Sequence, residues 1–233
     1  MPKGAAIPKR RLRMFRLLDD EILRSDLIDK AITHRSASKT NNERLEFLGD
    51  SVLNLVMSEY LYERHPEADE GDLSRLRSFL VRGQSLAALA QREQLGEHLV
   101  LGQGELKSGG FRRDSILADA VEAIIGAVFK LKGFEYTRCF VLELFATELA
   151  ALPPAETLKD PKSRLQEWLQ SRGLTPPQYE VVSVTGEAHR QTVTVACMVA
   201  AMESRATAAA SSRRSAEQEA AQQVLSQLLS KSN

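Results

Sequence analysis

The chain has 233 residues, 43% of them hydrophobic, and 31 acidic against 31 basic side chains, an ordinary soluble composition with room for one large domain or a larger and a smaller one. No apolar run reaches the ~18 residues of a membrane span, and the basic start lacks the apolar stretch of a secretory signal. Cys139 and Cys197 have neither zinc-like nor redox spacing, which points to free buried thiols in a reducing compartment, the cytoplasm by default.

The neutral total hides a segregation of charge. Residues 1–16 carry six Lys or Arg and no acid, residues 17–152 carry 16 basic against 23 acidic side chains, and residues 153–233 carry 9 against 8. Neutrality therefore says little about nucleic-acid binding, because phosphate contacts depend on local clusters. The first such cluster is the arm 1–16, where KRRLRMFR follows Pro2, Gly4 and Pro8; it reads as mobile, either a solvated tail or a phosphate contact.

From 17 to 150 the pattern is helical almost throughout, with breaks at His65-Pro66, Gly71, Gly83, Gly96, the 102–110 loop and Gly133. Asn41 or Asn42 is placed to cap the helix carrying Glu46, and Asp114 or Ser115 the helix carrying Asp119. Two acidic pairs interrupt apolar helical stretches. Glu46 and Asp50 are four apart, Asp119 and Glu122 three apart, and either spacing leaves both carboxylates on one helical face. From 116 to 129 the only charged side chains are Asp119 and Glu122, so this helix should be largely buried and its anions need a counter-charge. If the two helices face each other, four carboxylates form an oxygen-rich cage for a hard divalent cation such as Mg²⁺. The blander readings are a solvated face, an arginine from elsewhere beside Asp119 and Glu122, or pairing of Glu46 and Asp50 with Arg44 or a neighbouring helix. Zinc is disfavoured, because His34, His65, His98 and His189 are scattered. The glycines of 102–110 form no P-loop, and no organic cofactor is expected.

The segment 151–159, with Pro153-Pro154, reads as an extended linker. Beyond it, 160–230 reads α-β-β-β-α: a helix over 162–172, strands over 179–184, 191–199 and 202–207, and a helix over 212–229.

The run Asn42-Glu43-Arg44-Leu45-Glu46-Phe47-Leu48-Gly49-Asp50-Ser51 resembles the signature of bacterial ribonuclease III. Gly104-Glu105 through Ser108-Gly109-Gly110, then Ser115-Ile116-Leu117-Ala118-Asp119-Ala120 and Glu122-Ala123, resemble the other half of that family's active site. The C-terminal part resembles the double-stranded-RNA-binding domain that follows it, so the likeness covers about 17–229. It implies an all-α nuclease domain followed by a small α+β RNA-binding domain, and a homodimer formed through the nuclease domain. The implied activity is Mg²⁺-dependent hydrolysis of both strands of double-stranded RNA, with Mn²⁺ able to substitute. The products would carry 5′-phosphate and 3′-hydroxyl ends with a two-nucleotide 3′ overhang, in ribosomal, messenger and transfer RNA processing.

By the same resemblance Glu46, Asp119 and Glu122 ligate the metal, Asp50 and Glu122 are catalytic, and Glu43 and Glu70 are secondary acids near the cleft and the subunit contact. Carried over by position, RNA is met by Gln166, Glu167 and Gln170 on one helix, by His189 in a loop where Glu187 replaces the family's usual proline, and by Ser212, Arg213 and Arg214 at the start of the last helix. Ala208 and Ala210 stand where relatives place glycines. If those positions need φ > 0, both alanines would be strained or would force a different loop, with RNA affinity lowered. Lys107, Arg112 and Arg113 are expected to contact phosphates or to form a solvated loop. Two competing classes are a non-catalytic RNA-binding protein, which would have lost one of the four acids, and a helical metal-carboxylate oxidoreductase, which would carry Glu-x-x-His pairs.

Overall fold

The computed structural model describes residues 13–187 and 190–231. The chain divides into two compact units, Met1–Glu156 and Thr157–Asn233.

The first unit is helical: α1 Arg13–Arg16, α2 Asp20–Leu23, α3 Asp26–Ala31, α4 Glu43–Arg64, α5 Glu70–Val81, α6 Gly83–Arg92, α7 Gln103–Lys107, α8 Asp114–Leu144 and α9 Ala146–Ala150, followed across the boundary by the single turn α10 Ala155–Leu158. The last of these puts a helical turn inside the segment expected to be extended. At the centre lies α8, packed on α4 and α6. Its apolar first half is buried from Ile116 to Val128 except at Asp119 and Glu122, which are half-buried. Each fully buried Val, Ile or Leu there stabilises the fold by about 1.5–3 kcal/mol relative to exposure.

Two glycines set the distance between the principal helices. A Cβ on Gly49 would lie 1.7 Å from the backbone oxygen of Glu122, and one on Gly126 would lie 2.2 Å from that of Leu45. Thus α4 and α8 touch backbone to backbone, one turn away from Glu46 and Asp119. Further along, α8 breaks at Gly133, where φ 75° and ψ −173° define a conformation that L side chains rarely adopt. Beyond the break Thr137, Phe140, Val141 and Leu144 form the buried stripe, which leaves Cys139 on the opposite side. That thiol is exposed, contrary to expectation, whereas Cys197 is buried.

Tertiary contacts move several local signals. The Asn41 side chain accepts from the Glu43 backbone N–H at 3.1 Å, while Asn42 occupies the N-cap position without a capping bond from its side chain. The first residue of α8 is Asp114, whose carboxylate accepts from Gln91 at 3.1 Å instead of capping. Gly71 does not break a helix; it sits in the first turn of α5, which Asp69 caps by accepting from the Asp72 N–H at 2.7 Å. Of the basic arm, 1–12 lie outside the described residues. The rest forms α1, which buries Met14 and Phe15 completely, and the Met14 N–H donates to the buried Glu93 carboxylate at 3.0 Å.

The second unit runs α11 Pro161–Gln170, β1 Gln178–Thr185, β2 Thr192–Val199, β3 Ser204–Ala210 and α12 Arg213–Lys231. The sheet is antiparallel in the order β1-β2-β3, with an irregularity between Val181 and Ser183. Asp160 caps α11, accepting from the Lys162 N–H at 2.8 Å, and Pro161 opens the helix. One face of the sheet packs on the two helices through Leu165, Leu169, Cys197, Val199, Val224 and Leu228. The third strand begins later than its sequence pattern suggests, because Ala200–Met202 form a 3₁₀ turn and Glu203 adopts φ 48°. The expected strain at Ala208 and Ala210 does not arise. Both lie in regular strand, opposite Val195 and Val193, and the only non-glycine residues with positive φ among those described are Gln94 and Glu203. The Ala208 methyl fills the core. No helix among the described residues is long and apolar enough to cross a membrane.

Candidate active site

Glu46 projects from the first turn of α4 and Asp119 and Glu122 from the first turns of α8, and the close crossing of these helices brings the three together. One carboxylate oxygen from each lies within 4.8 Å of the others. No described residue makes a hydrogen bond or an ion pair to any of these three carboxylates, so the arginine partner that would have explained them blandly does not exist among the described residues. Asp50, one turn beyond Glu46, is exposed, and one of its oxygens accepts from the Asn54 amide at 2.8 Å. The expected cage of four buried acids is thus a half-buried trio with Asp50 at its solvent edge.

Burial and mutual repulsion act together on this trio. The Glu122 carboxyl is pushed up to about 8, first by burial and then by the charges of Asp50, Asp119 and Glu46. Burial is also the main cause that raises Glu46, with Asp119 and Glu43 adding to it, and burial raises Asp119. Arg35 opposes both shifts and His34 opposes that of Asp119, from a distance rather than as salt-bridge partners. A set of three hard oxygen donors, short of positive charge and open to solvent on one side, fits a divalent cation that keeps several waters.

The other predicted acids are not members of the trio: Glu43 lines the cavity beside it, and Glu70 lies in a separate groove. Glu43 is exposed and pairs with Arg35 at 3.5 Å. Glu70 opens α5, accepts from the Ser74 hydroxyl at 2.7 Å, and lines a groove with Leu55, Tyr62, Leu73 and Arg77. Of the three expected phosphate contacts, Arg113 is tied to Glu105 at 2.6 Å beside the trio, Arg112 stacks on Phe111 at 5.0 Å, and Lys107 is exposed at the end of α7.

In the second unit Gln166, Glu167 and Gln170 lie on the exposed face of α11, opposite buried Leu165 and Leu169. Glu167 pairs with Lys159. Ser212 caps α12 by accepting from the Ser215 N–H at 3.1 Å, and Arg213 and Arg214 are exposed in the first turn. Arg213 donates to Glu217 at 2.8 Å, while Arg214 makes no ion pair among the described residues. His189 falls outside the described residues.

Residues 24–149 match the family model described as Ribonuclease-III-like, and residues 161–228 match the double-stranded RNA binding motif. The chain belongs to the ribonuclease III family. Its relatives named Ribonuclease 3 include that of Aliivibrio fischeri, 56% identical over 74% of this chain and 78% of the relative, and that of Azotobacter vinelandii, 54% identical over 83% and 84%. The nuclease domain of ribonuclease III from Campylobacter jejuni is similar in structure, with a TM-score of 0.53 at 41% identity over 58% of this chain and 92% of that one. A second structure of that domain, described as flexible in a region involved in dimer formation, has a TM-score of 0.54 at 40% identity over 58% and 99%. As a ribonuclease III with both parts present, the chain is a double-strand-specific endoribonuclease.

Three features of this ribonuclease III escaped the sequence reading. The close approach at Gly49 and Gly126 is invisible because each glycine, taken alone, only weakens a helix. His34 and Arg35, in the connection before α4, line the cavity next to the trio, yet nothing local links them to acids further along the chain. Asn42 lines the same cavity and is buried at 3% exposure; the sequence offered it only as a cap.

Proposed function

We propose that this ribonuclease III is a Mg²⁺-dependent homodimer that cuts both strands of double-stranded RNA, leaving 5′-phosphate and 3′-hydroxyl ends with a two-nucleotide 3′ overhang. The observation that carries the reading is the convergence of Glu46, Asp119 and Glu122 within 4.8 Å, with no ion-pair partner among the described residues. These three would hold the cation, with Mn²⁺ able to replace Mg²⁺ in an all-oxygen set. When bound, it supplies neutralisation of the charge developing on the phosphate and an activated water. Glu122 gives up its proton to become a ligand, which its raised affinity for protons makes a titratable event near neutral pH. Asn54 occupies one oxygen of Asp50 and leaves the other to accept a hydrogen bond from the attacking water.

Subunit pairing is supported by α4. Phe47, Leu55 and Tyr62 are 78%, 56% and 73% exposed and fall within about 80° of one another around the helix. Beside them lies the groove that Glu70 lines. A twofold axis at this face would make the contact self-complementary and set two acidic trios against the two strands of one duplex. The RNA-binding unit, 160–230 after a linker over 151–159, would add Gln166, Glu167 and Gln170 against minor-groove hydroxyls and Ser212, Arg213 and Arg214 against phosphates, with His189 as the third contact over about 16 base pairs. Lys107 and Arg112 would add phosphate contacts from the nuclease unit, with Arg113 held in the wall by Glu105, and Glu43 would act as a secondary acid. The cellular work is processing of ribosomal, messenger and transfer RNA in the cytoplasm.

The test is cleavage of a perfectly paired RNA with and without Mg²⁺, mapping ends on both strands. Staggered cuts two nucleotides apart are expected, and Glu122→Gln should lower the rate by about a hundredfold or more while still binding RNA. Full Mg²⁺-dependent cleavage by Glu122→Gln would refute the assignment.

A further inference from the structure

Glu46 and Asp119 open onto a cavity of about 480 Å³. Its other charged lining consists of two ion pairs, Arg113 with Glu105 at 2.6 Å and Arg35 with Glu43 at 3.5 Å. Each guanidinium is already matched by a carboxylate of the wall, and His34 is engaged through Nδ1 with Ser36 at 2.8 Å. The cavity therefore offers no surplus positive charge to a phosphate. What it does offer is Asn42. This side chain is 3% exposed and lines the cavity, and its carboxamide hydrogen-bonds no described residue, giving up even the cap that its position at the start of α4 invites.

The residue is buried as a whole, but its carboxamide is not among the sealed unpaired groups of the described residues; it faces the cavity and is free to meet a ligand there. It presents donors and an acceptor side by side and carries no charge. The matching group on an RNA strand is likewise neutral, both donor and acceptor, and sits next to every phosphate: the ribose 2′-hydroxyl, which DNA lacks. The geometry points to Asn42 as a reader of one 2′-hydroxyl on the strand being cut, at a nucleotide adjoining the scissile phosphate, so that RNA is told from DNA at the reacting centre as well as in the RNA-binding unit. This rests on the reading of the acidic trio as the place of cleavage. The fixed walls support it: Arg113 is anchored by Glu105 and His34 by Ser36, while the Asn42 carboxamide is a neutral donor and acceptor of the lining that no described residue engages.

The experiment walks a single 2′-deoxynucleotide through the positions flanking the cut in an otherwise all-ribose duplex. Binding is measured in Mg²⁺ with the Glu122→Gln protein, and cleavage with the unaltered protein. At one position the deoxy substitution should cost about fivefold in affinity and in kcat/KM, the worth of one neutral hydrogen bond. Asn42→Ala should lose the same factor on the all-ribose duplex and show no further penalty at that position, a non-additivity that marks direct contact. If Asn42→Ala does not fold, Asn42→Leu, which keeps the volume, takes its place. A flat walk with the unaltered side chain, or a deoxy penalty that persists in full in the Asn42 variant, would overturn the inference. Failure of the unaltered protein to cut the all-ribose duplex in Mg²⁺ would instead overturn the reading of the acids as a cleavage site, and the binding walk would still decide the role of Asn42.

Discussion

At the scale of single residues, Glu122 is the group on which pH acts most directly. Its carboxyl is pushed up to about 8 in the folded protein from an ordinary value of 4.5. Between those two values the folded protein holds a proton that the unfolded chain has released, so rising pH favours unfolding. Metal-free protein should therefore lose thermal stability as pH rises from about 5 to about 8, and the loss should be smaller in Glu122→Gln and in saturating Mg²⁺; scanning calorimetry in chelator and in Mg²⁺ reads all three. Equal slopes for the unaltered protein and Glu122→Gln would show that Glu122 titrates normally. The acids themselves were legible, because carboxylates inside apolar helical runs have few explanations. Their surroundings were less so. The sequence puts all four in one cage, whereas Asp50 is exposed at its edge, and it offers Asn41 or Asn42 as the cap, of which Asn41 makes the hydrogen bond to the helix. A cap depends on the chain's entry angle, which the 3.6-residue period does not carry.

Among elements, the contact between α4 and α8 matters most to the site. Gly49→Ala would drive a Cβ to 1.7 Å from the Glu122 backbone oxygen. The helices would have to part, at a cost of about 3 kcal/mol. We expect a clear drop in melting temperature together with weaker Mg²⁺ binding, measured by calorimetry on the same preparation, since parting the helices separates Glu46 from Asp119 and Glu122. A Gly49→Ala protein of unchanged stability and metal affinity would mean that the crossing is not what aligns the acids. Periodicity located both helices within a few residues but could not say that they cross at two glycines, since a glycine in a helix reads first as a weakness. The same limit explains the third strand. Its alanines looked like strained substitutes for turn glycines, but the strand continues through them, and the small side chain of Ala208 suits the packing against α12.

For the whole molecule, two units divide the labour of a ribonuclease III, one presenting acids and the other a polar helix face and a basic helix start. Net charge near zero coexists with RNA binding because the cations are placed locally. Replacing Arg213 and Arg214 together by alanine should weaken double-stranded RNA binding and reduce the slope of log affinity against log salt by about one to two, measured by fluorescence titration at several salt concentrations. An unchanged slope would remove these arginines from the phosphate contacts. Arg213 also holds Glu217, which Lys162 supports at 2.6 Å, so Arg214→Ala alone is the cleaner measure of a lost contact. The division into two units was readable from composition, through the proline pair and the change from helical to alternating pattern.

Whether the meeting of α4 and α8 builds a metal site from Glu46, Asp119 and Glu122 is decided by anomalous diffraction from crystals soaked in Mn²⁺. A strong anomalous peak is expected within bonding distance of one oxygen from each of the three carboxylates, lost in crystals of Glu122→Gln. A peak bound only elsewhere, or none at saturating Mn²⁺, would contradict such a site.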